Sequence, residues 1–479
     1  MTQQNLMIFS AMGSGLAPLG RAFQRLRENH PDLLNIHARS SENLFDKKRE
    51  QEALDLAARA DHVFVLLHGG KMTFPLFDAL METAGGQIFI MPSNEEDMEL
   101  SREFSSDFGS DQFNQWVKYI KYGGEDNWHN LLKDLAGLPA QPPSPQPCQA
   151  MYHPKLGAVD TLEQYAEGLG LNLDDIQQSA QPVMGIWFGQ NYWLEGNLEP
   201  IDCLIREVER QGAVPVCCLY RRHPDPQLDV RDTSWIINNY FRWQGRNLIQ
   251  VLLSPMMFSI TISRPGEEGC LSELDVPVLQ TMLLLGTRQF WEETYQAVNP
   301  MDVCVSLAHP EFDGNLITVP LATRETGERD PFTGAVISRA APINERIVKL
   351  VRLAKAWAGL SCKPNQDKKV AIVLHNYPPR NDRIGCAYGL DSFASVCRLM
   401  DRLRQEGYNL ERAYDPQELA DALVSGLTSD QRWLTPEAMA QKAADLAGPE
   451  LHQKWRDELP AKIREHQAKD WGPSPGELF

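Results

Sequence analysis

One stretch constrains this chain more than any other: Val370 to Tyr408, VAIVLHNYPPRNDRIGCAYGLDSFASVCRLMDRLRQEGY. Val370 to Leu374 is a short, apolar, β-branched run, which suits a strand buried on both faces. It stops at His375, Asn376, Tyr377, Pro378, Pro379, Arg380, Asn381, Asp382, Arg383 and Gly385, a loop of donors, an aromatic face and stiff turns. A helix follows, capped by Asp391 or Ser392, with Phe393, Val396, Leu399, Met400 and Leu403 at helical spacing and Gly407 as its stop. Strand, polar loop and helix make half of a βαβ unit, whose ligands bind where strand C-termini meet helix N-termini. The loop is therefore a candidate site.

The remainder repeats this pattern. Leu6 to Ser10, Leu33 to His37, His62 to Leu67 and Gln87 to Met91 are apolar runs with helical patterns between them, predicting a parallel sheet in an α/β head domain over 1–137. The loops at their ends are 10–15, 68–71 and 92–95; the first reads as a plain turn with a helix cap, because it lacks the GxxxxGK[ST] pattern. Residues 138–181 are expected to be a linker, rich in Pro and Ser from Leu138 to Pro147, followed by a helical connector from Leu162 to Ile176. A second α/β domain is expected over 182–361. Its strands are placed at Val183 to Phe188, Ala213 to Tyr220, Leu248 to Leu253, Phe258 to Ser263, Asp275 to Leu284, Val303 to Leu307 and Leu316 to Leu321, with a helix from Arg339 to Trp357. A Rossmann-like unit over 362–427 and a helical segment over 428–479 complete the reading. The fold class is thus α/β, with several Rossmann-like parallel-sheet lobes and a helical C-terminal segment.

Composition narrows the partners. A formal net charge of −18 opposes nucleic acid and anionic membranes, yet would draw in a divalent cation. No apolar run approaches the roughly 20 residues needed to cross a bilayer, and the N-terminus lacks an export signal, so a cytoplasmic protein is expected. The nine cysteines include no CxxC pair, which argues against a structural zinc site or a disulfide framework.

Asn376-Tyr377-Pro378, Arg383-Ile384-Gly385 and Gly389-Leu390-Asp391 carry a resemblance to a known family, the large subunit of aerobic cobaltochelatase (CobN) and its relative, the magnesium chelatase H subunit. Val183 to Asp202, Asp275 to Arg288, Pro310 to Gly314 and Trp471 to Gly476 appear in the family's order. The Asn-Tyr step favours the cobalt branch. The resemblance implies Co²⁺ as substrate, insertion into the tetrapyrrole hydrogenobyrinic acid a,c-diamide for cobalamin synthesis, and ATP with Mg²⁺ on separate AAA+ and integrin-domain-type partner subunits rather than on this chain. No Walker A sequence is present, in keeping with that division. It covers only the N-terminal part of the family's protein. No HGxxEWLPGK-like motif occurs, so a separate C-terminal half is an expected partner and activity of this polypeptide alone is not expected.

Metal insertion requires an apolar platform for the macrocycle, groups that pair with its peripheral carboxylates or amides, and acceptors for ring N–H protons. Tyr192, Trp193 and Asn197 form one candidate substrate-binding group; His375, Asn376, Tyr377, Arg380, Asn381, Arg383 and Asp391 form the other. Taken singly, Tyr192 and Trp193 read as core packing and loop anchors before ligand contacts, and Asp391 as a helix cap before a ligand. His68, His309 and His375 fall at expected strand ends, with Glu311 and Asp313 beside His309; no catalytic residue or metal ligand is assigned. Three alternatives stand beside the chelatase reading: a non-catalytic tetrapyrrole- or metal-binding or assembly module of the family, a magnesium chelatase H-type protoporphyrin-binding subunit, and a nucleotide-sugar transferase with two Rossmann-like lobes.

Overall fold

The computed structural model describes residues 3–472 apart from 42, 43, 45, 69, 93–97, 180, 223, 224, 226, 265, 268 and 444–448. Gly69, Ser93 to Glu95 and Pro473 to Gly476, singled out in the sequence, lie outside the described residues. Two compact units are present, Met1–Ser361 and Cys362–Phe479.

In the first unit, β1 (Gln4–Ser10), β2 (Leu34–Ser40), β3 (His62–Leu67) and β4 (Gln87–Pro92) form a parallel sheet in the order β2-β1-β3-β4. The central strands read as continuous apolar runs because helices cover both faces. Phe23, Trp116, Trp128 and Leu131 pack on one side. Phe74, Phe77 and Leu80 pack on the other. The edge strand β2 alternates buried and half-buried positions, as a strand with one open side should.

The second sheet comprises β5 (Gln149–His153), β6 (Gly157–Val159), β7 (Val183–Gly189), β8 (Val214–Tyr220), β11 (Val251–Ser254), β12 (Val278–Leu283), β13 (Leu316–Arg329) and β14 (Val336–Pro342), in the order β14-β13-β12-β11-β7-β8-β5-β6. β9 (Arg242–Trp243) and β10 (Arg246–Asn247) form a separate small hairpin. The five strands from β13 to β8 are parallel, and antiparallel strands close both edges. Every residue of β8 is buried. Helices Glu199–Arg210 and Asn344–Cys362 contribute Ile201, Leu204, Leu350 and Val351 to one face. The other carries Trp187, Ile237 and Phe241. The far end of the β13–β14 hairpin reaches the first sheet, where Ala335 and Ile337 enter its core and the Ala38 N–H donates to the Thr333 carbonyl at 2.9 Å.

Several expected elements differ. Phe258 to Ser263 is not a strand: a loop runs into helix Ile260–Ser263. Val303 to Leu307, also expected as a strand, is a π-helix over Val303–Ala308. Both are short apolar runs, for which composition alone cannot separate strand from buried or half-buried helix. The helix expected from Arg339 begins only at Asn344, because Val336–Pro342 pairs with β13 as an antiparallel edge strand.

In the second unit Val370 to Leu374 forms no strand, and Val370, Ile372 and Val373 are 55%, 40% and 91% exposed. The expected strand buried on both faces is therefore not formed. Its composition demands neighbours that this unit does not supply: among its described residues the only ladder-type contacts are the isolated bridges Asn376–Ile384 and Ala387–Leu390. Helix Ser392–Gln405 forms as expected, with the Asp391 carboxylate accepting from the Ala394 N–H at 2.9 Å, and helices continue from Pro416–Ser425 to Ala461–Trp471.

Trp187 lies fully buried in β7, and its indole N–H donates to the Ser254 hydroxyl of β11 at 2.7 Å. Trp187→Phe removes that donor and leaves space behind it, so a loss of about 1–3 kcal/mol is expected in urea unfolding; an unchanged midpoint would show that the bond does not help join the two strands.

Candidate functional site

The order of the second sheet fixes where a ligand can reach it. From β7 the chain passes to β8 on one side and then returns to β11 on the other, so the sheet's switch point lies at the C-terminal ends of β7 and β11. What the loops place there is set by a network of buried polar groups.

Arg222, two residues beyond β8, is buried and donates to the carbonyls of Met257 and Phe258. Arg264 is 3% exposed; it donates to the carbonyls of Arg222, Arg221 and Arg231 and pairs with Glu267 at 2.8 Å. A guanidinium so buried is tolerated only because carbonyls and a carboxylate replace its water. Asp313 completes the arrangement: its carboxylate accepts from the Ser259 hydroxyl at 2.7 Å, the Ile260 N–H at 2.6 Å and the Thr261 N–H at 3.0 Å, capping helix Ile260–Ser263. The sequence singled out Asp313 beside His309 as possible chemistry; the structure spends it on this cap.

The consequence is an aromatic surface. Phe258 has φ +61°, the left-handed region a bulky residue avoids at a cost of roughly 1–2 kcal/mol, and is 40% exposed. Its ring centre lies 5.9 Å from that of His309, which lies 6.4 Å from that of Phe312. Phe312 is 69% exposed, and Met301 and Val303 are exposed on the same helical run. Asp302 is buried beneath, accepting from the Leu285 N–H and the Asn299 amide; burial pushes its carboxyl above the usual range, against the pull of the Leu285 N–H and Arg324. Strained backbone with an exposed aromatic at a switch point makes this surface a candidate for ligand binding.

Tyr192, Trp193 and Asn197 follow β7. Helix Gln190–Glu195 is held by the Gln190 amide, which donates to the Pro147 carbonyl at 2.8 Å. Tyr192 and Trp193 pack against the core beneath, Trp193 with its ring 5.9 Å from Tyr152, and burial raises the Tyr192 phenol well above its ordinary range. The Asn197 side-chain amide oxygen accepts from the Ala340 N–H of β14 at 3.0 Å. These three anchor the loop.

In the second unit the loop from His375 is organised mainly by its own residues. Arg380 pairs bidentately with Asp382 at 2.8 and 2.7 Å, which holds that carboxyl below its usual range. The Asn381 amide carbonyl accepts from the Thr428 hydroxyl at 2.7 Å, and the Asn381 N–H donates to Asp430 at 3.0 Å. The Asn376 side-chain oxygen accepts from the Arg380 N–H at 3.2 Å, while its side-chain nitrogen is buried without a partner among the described residues. Arg383 lies 3.8 Å from the Cys386 sulfur, with no carboxylate at ion-pair distance among the described residues. Tyr377 is 74% exposed, its ring 6.2 Å from that of His375. The loop thus lies against solvent. A nearby groove of about 250 Å³ is lined by Val370, Ile372, Leu374, Val396, Leu403 and Leu423, not by His375 to Arg383. That is smaller than the roughly 300–1,000 Å³ of small-molecule sites.

Sequence reasoning missed Arg222, Arg264 and Phe258. The available signal was the Arg221-Arg222 pair immediately after an unbroken apolar strand, where a charge must either face solvent or hold something together.

Two substitutions test the surface. Asp313→Ala deprives three donors of their acceptor and should cost about 2–4 kcal/mol in urea unfolding. Phe258→Gly frees the strained backbone, so its thermal midpoint should stay near that of the parent despite the lost ring; a large fall would mean that Phe258 is there for packing.

Comparison with known proteins places the chain. The family model for CobN/Magnesium Chelatase matches residues 117–479. An uncharacterised protein of Methanocaldococcus jannaschii is 31% identical over 90% of this chain and 36% of its own. The aerobic cobaltochelatase subunit CobN of Pseudomonas aeruginosa is 26% identical over 92% of this chain and 35% of its own. The chloroplastic magnesium-chelatase subunit ChlH of Oryza sativa subsp. indica is 24% identical over 68% and 23%. Among solved structures, the catalytic subunit of cobaltochelatase from Mycobacterium tuberculosis shares the fold, with a TM-score of 0.58 and 22% identity over 99% of this chain and 36% of that one. The chain spans about a third of the length of the first two relatives, and it belongs to the CobN/magnesium chelatase family.

Proposed function

We propose that the chain is the N-terminal part of an ATP-dependent cobaltochelatase large subunit that binds hydrogenobyrinic acid a,c-diamide for the insertion of Co²⁺ in cobalamin synthesis. The observation that carries this reading is the aromatic surface at the sheet's switch point, where Phe258 and Phe312 flank His309. A corrinoid-type disc needs a flat apolar contact larger than any one side chain, and exposed rings on rigid, buried supports offer it at little entropic cost. The longer match to the aerobic cobaltochelatase subunit, 92% of this chain against 68% for the plant magnesium-chelatase subunit, favours the cobalt branch.

The loop from His375 keeps its reading as a second substrate contact. Exposed Tyr377 offers an aromatic face, and Arg383, without a carboxylate partner, offers donors for a peripheral carboxylate. Arg380, Asn381 and Asp391 shape that loop through the bonds described above. ATP and Mg²⁺ belong, in this reading, to separate AAA+ and integrin-domain-type subunits. The exposed apolar segment Val370 to Leu374 supports a further chelatase region as partner, because apolar side chains left facing solvent offer a surface that another chain can cover.

Absorbance titration with hydrogenobyrinic acid a,c-diamide tests the reading. Saturable perturbation of the macrocycle spectrum is expected, weakened about tenfold in Phe258→Ala, equivalent to about 1.4 kcal/mol. No perturbation at high micromolar protein, or equal binding by the variant, would sink it, and preference for protoporphyrin would move it to the magnesium branch.

A further inference from the structure

On the helical run from Pro300 to Phe312, the Cys304 sulfur lies 3.8 Å from His309 Nε2. The two residues are five apart, a spacing that an ordinary α-helix, with its i,i+3 and i,i+4 neighbours, does not place side by side. Here the intervening Val303–Ala308 is a π-helix, whose i→i+5 register brings them onto one face. π-Helical turns are uncommon and recur at functional sites. Cys304 is exposed. His309 Nδ1, by contrast, is buried and has no hydrogen-bond partner among the described residues. The ring packs between Phe258 and Phe312, but among the described residues its one side-chain polar contact is with Cys304.

The separation is that of a chelating pair. With a metal–sulfur bond of about 2.3 Å and a metal–nitrogen bond of about 2.0–2.1 Å, an ion held by both atoms would subtend about 120° at 3.8 Å, near the tetrahedral value. Thiolate and imidazole together suit a borderline divalent ion such as Co²⁺ or Zn²⁺, and exclude Mg²⁺ and Ca²⁺, which take oxygen. No group of three or more His, Cys, Asp and Glu side chains able to hold a metal exists among the described residues. An ion here would keep water in its remaining positions and stay exchangeable.

We propose that Cys304 and His309 form a two-residue docking site for the divalent transition ion that is the chelatase's cargo. Binding forms a metal–sulfur and a metal–nitrogen bond in place of two metal-bound waters, releases these waters (and two more as a six-coordinate aqua ion becomes tetrahedral) together with the thiol proton to solvent, and involves no redox change. The cargo role rests on the chelatase reading above; the site itself does not, because its occupancy is measured without any tetrapyrrole.

The test is a Co²⁺ titration of the full chain under anaerobic conditions with a non-thiol reductant, following the near-ultraviolet thiolate-to-cobalt charge-transfer band. One equivalent is expected, lost in Cys304→Ser and weakened at least about tenfold in His309→Ala. Cys362→Ser and Cys386→Ser, which remove the other exposed thiols, should leave it intact. Circular dichroism melts verify that each variant is folded. A band that survives in Cys304→Ser, follows Cys362 or Cys386, or is absent from the parent chain at millimolar Co²⁺ overturns the proposal. Metal binding without tetrapyrrole binding would overturn the function proposed above and leave this site standing; the reverse outcome would do the opposite.

Discussion

The architecture of the first unit depends on parallel pairing of β7 with a strand on each side, β8 and β11. A parallel strand cannot reach its neighbour through a tight turn, so each pairing requires a crossover that lays a helix on the sheet. Those crossovers bury both faces, which explains why β7 and β8 are almost wholly apolar. Because the crossover after β7 runs to β8 on one side and the crossover after β11 runs to β12 on the other, the loops at the ends of these neighbouring strands diverge and leave a place where a ligand could enter. Trp187 fastens this point from below by bonding across to Ser254.

Above that point, polar rather than apolar groups decide the shape. Arg222, Arg264 and Asp313 each satisfy several backbone groups that would otherwise be buried without partners. The resulting loops are rigid enough to hold Phe258 in a conformation its side chain disfavours. The energy needed comes from bonds elsewhere in the network, which is how strain persists at binding surfaces. The π-helix beside it does comparable work: the Phe258 N–H donates to the Val305 carbonyl at 2.7 Å, so the aromatic loop and the helix carrying Cys304 and His309 share one hydrogen bond.

The second unit shows the opposite situation. Its loop from His375 is well bonded internally, through Arg380 with Asp382 and Asn381 with Thr428, whereas the apolar run before it lacks the strands its composition calls for. Local chemistry is satisfied within a few tens of residues; a parallel sheet needs strands from further away.

Much of this was legible in the sequence. The head-domain strands, β7, β8 and helix Ser392–Gln405 are written in apolar runs, helical spacing and a cap, all local signals read correctly to within a few residues. The family, too, is carried by short motifs spaced along the chain. Tertiary structure alone decided three things. It made a helix of Ile260–Ser263, for which Asp313, distant in sequence, supplies the acceptors, and a π-helix of Val303–Ala308, whose Val305 carbonyl takes the Phe258 N–H. It supplied the strand to which Asn197 is tied, and the particular core on which Tyr192 and Trp193, already legible as anchors, are packed. And it left Val370 to Leu374 exposed, since an apolar pattern states what a strand would bury but not whether a neighbour is there to bury it.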